Sequence, residues 1–482
     1  MPWPPLSHFR RKDGLSISLK IGVDIAPRRR YIKGNRIKRG VRMDRMKVYD
    51  SLLGEIGRMP VIDTHEHLPW DEKFRCEGEG DVLREYLSHY MSSDVVSAGL
   101  SREDLEKVVG SERSVAERWR IVEPYWEAAR YTGYGRALDI AVKGIYGIEG
   151  VNRDTIEALN DAFRAARRPG HFRHVLRELC NIETCLVDVW RQRLDGESEL
   201  FRRIWQPLGF ICPAPSEFGS ILSDIEKNHG IRVNSLDDWQ AALEAELDWI
   251  LARYGVRVLK CAIAYMRTLR FEEVGYPEAK ALFQNMLAQR VGDGIPPAFP
   301  RALEDYMMHF LLGLANRRNL TIQFHTGLLE GNGNTLSNSD PSLLNNLFLK
   351  YPDVDFDLFH ISYPYQGVAC ALAKMFPNVT IDMCWAHIIS PSACVAALDD
   401  FLDAVPYNKI SGFGGDYLFA DGVYGHLMLS RENIARTLAG KVERGVFGEE
   451  RAAGIAKALY YDNPRRIFKL QATENGGRSF VG

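Results

Sequence analysis

Between residues 236 and 416 the chain alternates helical patterns with short apolar runs, and this rhythm restricts the fold more than any other feature. The segment "SLDDWQAALEAELDWILARYG" carries Trp239, Leu243, Leu247, Ile250 and Leu251 at helical spacing and leads into the strand "VRVLKCAIAY". Then come strand "LTIQFHTG", helix "PSLLNNLFLKYP", strand "VDFDLFHISY", helix "GVACALAKMFP", strand "VTIDMCWAH", helix "SPSACVAALDDFLDAVP" and strand "KISGFGGDY". A helix between each strand and the next makes neighbouring strands parallel, and eight such units close a barrel. Upstream, "VIDTHEHLPW" at 61–70 reads as the first strand and "IETCLVDV" as the next. Residues 81–180 between them read as mostly helical, too long a stretch for an ordinary connection. The expected fold is therefore an α/β (β/α)8 TIM-type barrel over 47–470, with a helical insertion at about 71–180 after the first strand.

The polar residues fall at particular places in that pattern. His65 and His67 lie two apart on a strand, so their side chains share one face; on a helix they would diverge. A histidine pair hydrogen-bonded to backbone would explain those two letters equally well. His325 ends "TIQF", however, His360 ends "DLF", and Asp416 ends "ISGFGGD". The C-terminal ends of barrel strands face one another across the mouth, so five metal-competent side chains from four strands are directed at one volume. Neutral imidazoles with a carboxylate suit one divalent transition metal, zinc first and Mn, Fe or Co as alternatives. Lys260 on the fourth strand, Tyr265 and Arg267 after it, and Trp385 after the seventh strand are candidate substrate contacts. "EGNGN" at 330–334 lacks the lysine of a phosphate-binding loop and reads as a lid. His89, His171, His174 and His309 fall in helical segments, where surface or core roles are expected.

Composition removes several classes of function. A net charge of -2 gives no electrostatic reason to expect nucleic acid or an anionic membrane as partner. No apolar run approaches the ~20 residues that span a bilayer. The eight cysteines are scattered without a C-x-x-C pair, against both a zinc ribbon and a disulfide scaffold, so reduced thiols and a cytoplasmic location are expected. Residues 1–46 are basic and lack a secretory core, and read as a disordered leader; 471–482 read as a flexible tail. The expected partner is a small molecule, with self-association left open.

"DTHEHLPW", "FHTG", "LFHISYPY", "GGDY" and "YYDNPRRIFKL", in that order over residues 55–470, resemble the amidohydrolase superfamily, in particular its amidohydrolase-related branch of metal-dependent hydrolases and decarboxylases. The resemblance implies that His65, His67, His325 and Asp416 hold the metal, with His360 a general acid or base and Asp416 also a proton acceptor. It implies a hydrolase acting on a small, carboxylated substrate, with a decarboxylase as the alternative. Some members carry a carbamylated lysine bridging two metals where Lys260 stands; a substrate-facing cation with one metal is the preferred reading. "HLPW", the long insert and the overall length are also similar to uronate isomerases. Those have an arginine soon after the eighth-strand aspartate, whereas this chain continues "DYLFADG". A barrel that has lost catalysis and serves as a binding module is the remaining alternative.

Overall fold

The computed structural model describes residues 47–78, 80–188, 198–289 and 298–470. The expectations for 1–46 and 471–482 lie outside those residues. Eight strands form the frame: β1 (Val61–Glu66), β2 (Ile182–Asp188), β3 (Phe201–Ile204), β4 (Val258–Cys261), β5 (Thr321–Phe324), β6 (Asp355–Leu358), β7 (Val379–Asp382) and β8 (Ile410–Ser411). β1 to β3 pair in order, as do β4 to β8, all in parallel. Two seams join these sheets into a ring. At the first, the Trp205 N–H donates to the Val258 carbonyl at 3.2 Å and the Lys260 N–H to the Trp205 carbonyl at 2.9 Å. At the second, the Thr64 N–H donates to the Phe413 carbonyl at 3.1 Å and the Asp416 N–H to the His65 carbonyl at 2.8 Å. The fold is the expected (β/α)8 barrel. β3 had no counterpart among the sequence-read strands, because "FRRI" is short and half arginine, without the alternation or apolar run that marks a strand.

The Leu236–Tyr254 helix shows how local chemistry sets the element boundaries. The Ser235 side chain accepts from the Asp238 N–H at 3.2 Å, Asp237 and Asp238 favour the positive end of the dipole, and Gly255 takes the left-handed conformation that ends the helix. Leu236, Trp239, Leu243, Leu247 and Ile250 are buried, while Leu251 stays half-buried at the edge of the stripe. Truncating one of the buried leucines to alanine costs about 2–5 kcal/mol.

Between β1 and β2 the chain is helical from Lys73 to Ala165, in short and medium helices joined by turns. These helices rest on the Ala420–Glu443 helix that follows β8, and small residues allow the approach. A Cβ on Gly425 would overlap the Ala137 main chain, and on the short Ala386–Ile389 helix beside it the Ile388 main chain leaves no room for a Cβ on Gly133. Asp421 pins the contact: it accepts from the Tyr86 hydroxyl at 3.0 Å and the Tyr146 hydroxyl at 2.7 Å, and pairs with His171 Nε2 at 2.8 Å. At the other end of the barrel, Val258 packs with Ile467 and Phe468, and the Thr321 hydroxyl donates to the Ile467 carbonyl at 2.7 Å. That end is closed, so only the C-terminal mouth of the strands is left for chemistry. All eight cysteines are free thiols. Among the described residues, no helix is long and apolar enough to cross a membrane.

Candidate metal centre

β1 directs Asp63 and His65 to one face by strand alternation, and His67 follows directly after its last residue. His65 is fully buried, and its tautomer is set by its neighbour. Gln323 donates its amide N–H to the Thr64 carbonyl at 3.0 Å, so its oxygen, 3.2 Å from His65 Nδ1, accepts from that nitrogen. His65 Nε2 is left with its lone pair, buried and without a hydrogen-bond partner, 3.7 Å from Asp416 Oδ1. His360 repeats the arrangement from the opposite side. Its Nδ1 donates to the Cys384 carbonyl at 2.9 Å, and its Nε2 is buried, unpartnered and 3.8 Å from Asp416 Oδ2. His67 Nε2 lies 3.2 Å from Asp416 Oδ1. Two buried imidazole lone pairs facing one carboxylate repel it unless a cation stands between them, so the donor set fits a divalent metal.

The donors fall into two groups, within each of which the ligand atoms lie within 4.8 Å of one another: His65, His67 and Asp188, and His360, Cys384 and Asp416. Asp188 ends β2 and accepts from Gln206 Nε2 at 2.7 Å. His325 belongs to neither group. Its Nε2 donates to the Leu328 carbonyl at 2.9 Å, and its ring centroid lies 4.4 Å from that of His360.

Burial, with the Lys260 charge added, holds His65 well below its usual pKa, and burial lowers His360 to about 4. His67 is raised, because its hydrogen bond to Asp416 and that carboxylate's charge outweigh burial. Asp416 is well below the usual carboxylate range: burial opposes ionisation, but the His67 hydrogen bond and the surrounding imidazoles prevail. His65 and His360 are thus neutral and the carboxylate ionised, the states in which they bind a cation, whereas His67 is held towards its protonated form by Asp416.

The backbone is strained where these groups sit. His360, Trp385 and Asp416 have positive φ of 61°, 58° and 56°. Such conformations cost about 1–3 kcal/mol each and persist only where the surroundings impose them. At Asp416 they are imposed from both sides: its N–H donates to the His65 carbonyl, and its own carbonyl accepts from the Tyr90 hydroxyl at 2.6 Å. Asp63 Oδ1 accepts from the His65 N–H at 3.2 Å and the Gly415 N–H at 3.1 Å, and Glu66 accepts from the Tyr417 N–H at 2.8 Å. A Cβ on Gly415 would overlap the Glu66 carboxyl group, which explains the glycine before Asp416.

Residues 287–470 match the family model described as Amidohydrolase. This part of the chain is thus similar to amidohydrolases. The match takes in His325, His360 and Asp416, while His65, His67, Asp188 and Lys260 lie upstream of it. Protein fluG of Emericella nidulans is 28% identical over 181 residues, 36% of this chain and 21% of that protein. The chain thus spans about a fifth of the length of this curated relative. Similar solved structures are a uronate isomerase from Thermotoga maritima (TM-score 0.73, 16% identity, 88% of this chain and 97% of that one) and a glucuronate isomerase from Caulobacter crescentus (0.71, 17%, 90% and 96%). A provisionally assigned metal-dependent hydrolase from Lactobacillus casei has a TM-score of 0.59 at 16% identity, over 87% of this chain and 97% of that one. At these identities the likeness is one of fold, and it extends through the insertion as well as the barrel.

Of the candidate substrate contacts, Lys260 is buried, with its ammonium 3.7 Å from the centroid of the Phe359 ring. Burial lowers its pKa, and the Asp416 charge acts against that. Tyr265 sits at the mouth, its ring 4.9 Å from that of His325. Trp385 is buried, 5.0 Å from the His360 ring and stacked on Tyr90 at 4.5 Å. Arg267 is not brought to the site. Its guanidinium is held by Glu304 at 3.0 Å and Asp305 at 2.6 Å, and it lies over Phe271. Sequence reasoning missed Asp188, Cys384 and Tyr90. Asp188 closes the apolar run "CLV" much as His360 closes "DLF", a signal of the same kind; Tyr90 carried none, since its role depends on how the insertion folds back.

Proposed function

We propose that the chain is a metal-dependent hydrolase of a small, carboxylated molecule. The observation that carries this is the pair of orphaned nitrogens, His65 Nε2 and His360 Nε2, facing Asp416 beside a buried lysine. His65, His67 and Asp416 would hold one divalent ion, zinc first, with Asp188 or His325 completing the set. When bound, such an ion supplies Lewis acidity towards a carbonyl or carboxylate oxygen and acidifies water. Lys260 holds the substrate carboxylate, and the enclosing aromatic walls keep bulk water out. Asp416 accepts the proton of the attacking water, and His360 stabilises the developing negative charge or delivers a proton to the departing group. A carbamate on Lys260 with a second ion is the alternative role for that residue; a mass gain of one CO2 on Lys260 would establish it. Free thiols at every cysteine agree with a reducing compartment such as the cytoplasm.

Sugar-acid isomerisation is the second reading, favoured by the two isomerase structures that match about nine-tenths of the chain. The test begins with elemental analysis of the parent beside a His65→Ala, His67→Ala variant, followed by assays of the loaded enzyme. Near one equivalent of metal in the parent, little in the variant, and turnover of amides or lactones bearing a carboxylate are the expected results. Turnover of hexuronates alone replaces hydrolase by isomerase, release of CO2 replaces it by decarboxylase, and a parent that never takes up metal ends both enzymatic readings.

A further inference from the structure

The loop after β5 ties three parts of the mouth together. Its Leu328 carbonyl accepts from His325, the Glu330 N–H donates to the Tyr265 hydroxyl at 3.0 Å, and Asn332 Nδ2 donates to the Ser93 carbonyl at 3.1 Å on the Tyr90–Ser97 helix. Asn334 Nδ2 closes the loop on itself by donating to the Glu330 carbonyl at 2.6 Å. The loop is thus a built bridge from β5 to the insertion, and it carries one charged residue, Glu330. The Glu330 carboxyl group is bonded by the Ser93 side chain, and its charged neighbours are Asp416 and His67. Lys260 lies deeper: it pairs in register with Gln323, two residues before His325, whereas Glu330 comes five residues after it.

The charges at this mouth do not balance without a cationic group on the substrate. A divalent ion held by both Asp416 and Asp188 would be neutralised by them, and the Lys260 ammonium would be neutralised by a substrate carboxylate. The Glu330 carboxylate is left over in a half-buried position, where a neutral partner satisfies its hydrogen bonds but not its charge. We propose that Glu330 is a substrate-binding residue and that the site selects amino-acid-type zwitterions, with the carboxylate towards Lys260 and the ammonium towards Glu330. This rests on the carboxylated-substrate reading above, and it adds the second charge.

The test is calorimetric binding of L-aspartate, succinate and D-glucuronate to the metal-loaded protein and to Glu330→Gln, with metal content measured for both. Aspartate and succinate differ by the amino group alone, and glucuronate offers hydroxyls in its place. The expected result is aspartate bound at least about tenfold more tightly than succinate, as one charge-assisted hydrogen bond provides. That preference disappears in Glu330→Gln, which keeps its metal. An unchanged preference in Glu330→Gln overturns the inference and leaves the carboxylated-substrate reading standing. So does preferred binding of glucuronate that weakens in the variant, which would make Glu330 a hydroxyl-binding residue. If none of the three acids binds the loaded protein, the carboxylated-substrate reading falls, and the inference with it.

Discussion

Removing one oxygen atom from the insertion is expected to weaken a metal centre built mainly by the barrel. Tyr90→Phe deletes the hydroxyl that donates to the Asp416 carbonyl at 2.6 Å, while the ring remains stacked between Trp385 at 4.5 Å and Tyr134 at 5.1 Å. A buried hydrogen bond of this kind contributes about 1 kcal/mol net, and up to about 3 kcal/mol if the carbonyl stays dry and unpaired. The same bond helps impose the left-handed conformation of Asp416, so its loss also lets the carboxylate drift from His65, His67 and His360. Loss of outer support to a metal ligand typically costs about 10–100-fold in affinity, and with the ring retained the low end, about tenfold, is expected here. Tyr90→Ala removes the stack as well and should cost about 3–5 kcal/mol of stability. Chelator competition reads the affinity and urea unfolding of the metal-free protein reads the stability. If Tyr90→Phe matches the parent in both, the claim that the insertion positions Asp416 is refuted.

Three further expectations concern other parts of the centre and its support. Asp188→Asn should weaken zinc binding by about 10-fold or more while Arg267→Ala leaves it unchanged and only destabilises the fold, a contrast that equilibrium dialysis resolves. Gly415→Ala should cost about 1–3 kcal/mol in urea unfolding and lower metal occupancy, because the new methyl must displace Glu66; a fully loaded, equally stable variant would contradict the packing argument. Asp421 is held below its ordinary value of 3.8, burial being outweighed by the hydrogen bond and charge of His171 and by Arg75. A depressed carboxylate stabilises the fold fully above its unfolded pKa and loses that contribution as pH falls through the folded one. The stability gap between parent and Asp421→Asn should accordingly be constant near neutrality and shrink below about pH 4, as urea midpoints across pH would record.

Much of this was legible in the sequence because barrel strands obey a simple rule: a polar residue closing an apolar run lands at the mouth. His65, His67, His360 and Asp416 converge for that reason, and the helices after residue 236 appear where their apolar spacing put them. The exceptions have separate physical causes. His325 reached the mouth, but its Nε2 found a carbonyl three residues on, which a strand pattern cannot reveal. Arg267 was placed near the substrate by proximity to Lys260, yet Glu304 and Asp305 on the Arg301–Arg317 helix claim its guanidinium, a contact across 37 and 38 residues. Asp188 closes the run "CLV" by the same rule and was passed over; that it meets His65 and His67 depends on the register of β2 against β1.

The seam between β8 and β1 also bears on the order in which the molecule can be made. Asp63 and Gly415, bonded across it, are 352 residues apart in sequence. His65, His67 and Asp188 emerge early from the ribosome, and Asp416 late, after nearly all of the barrel. A contact of such separation forms slowly and only once the intervening chain has collapsed. An ion held by His65, His67 and Asp416 together would therefore not serve as a nucleus for folding, as it does in small zinc domains. An N-terminal fragment ending after β3 would expose His65, His67 and Asp188 without Asp416, so newly made chains would be most open to capture of the wrong metal before the last strand arrives.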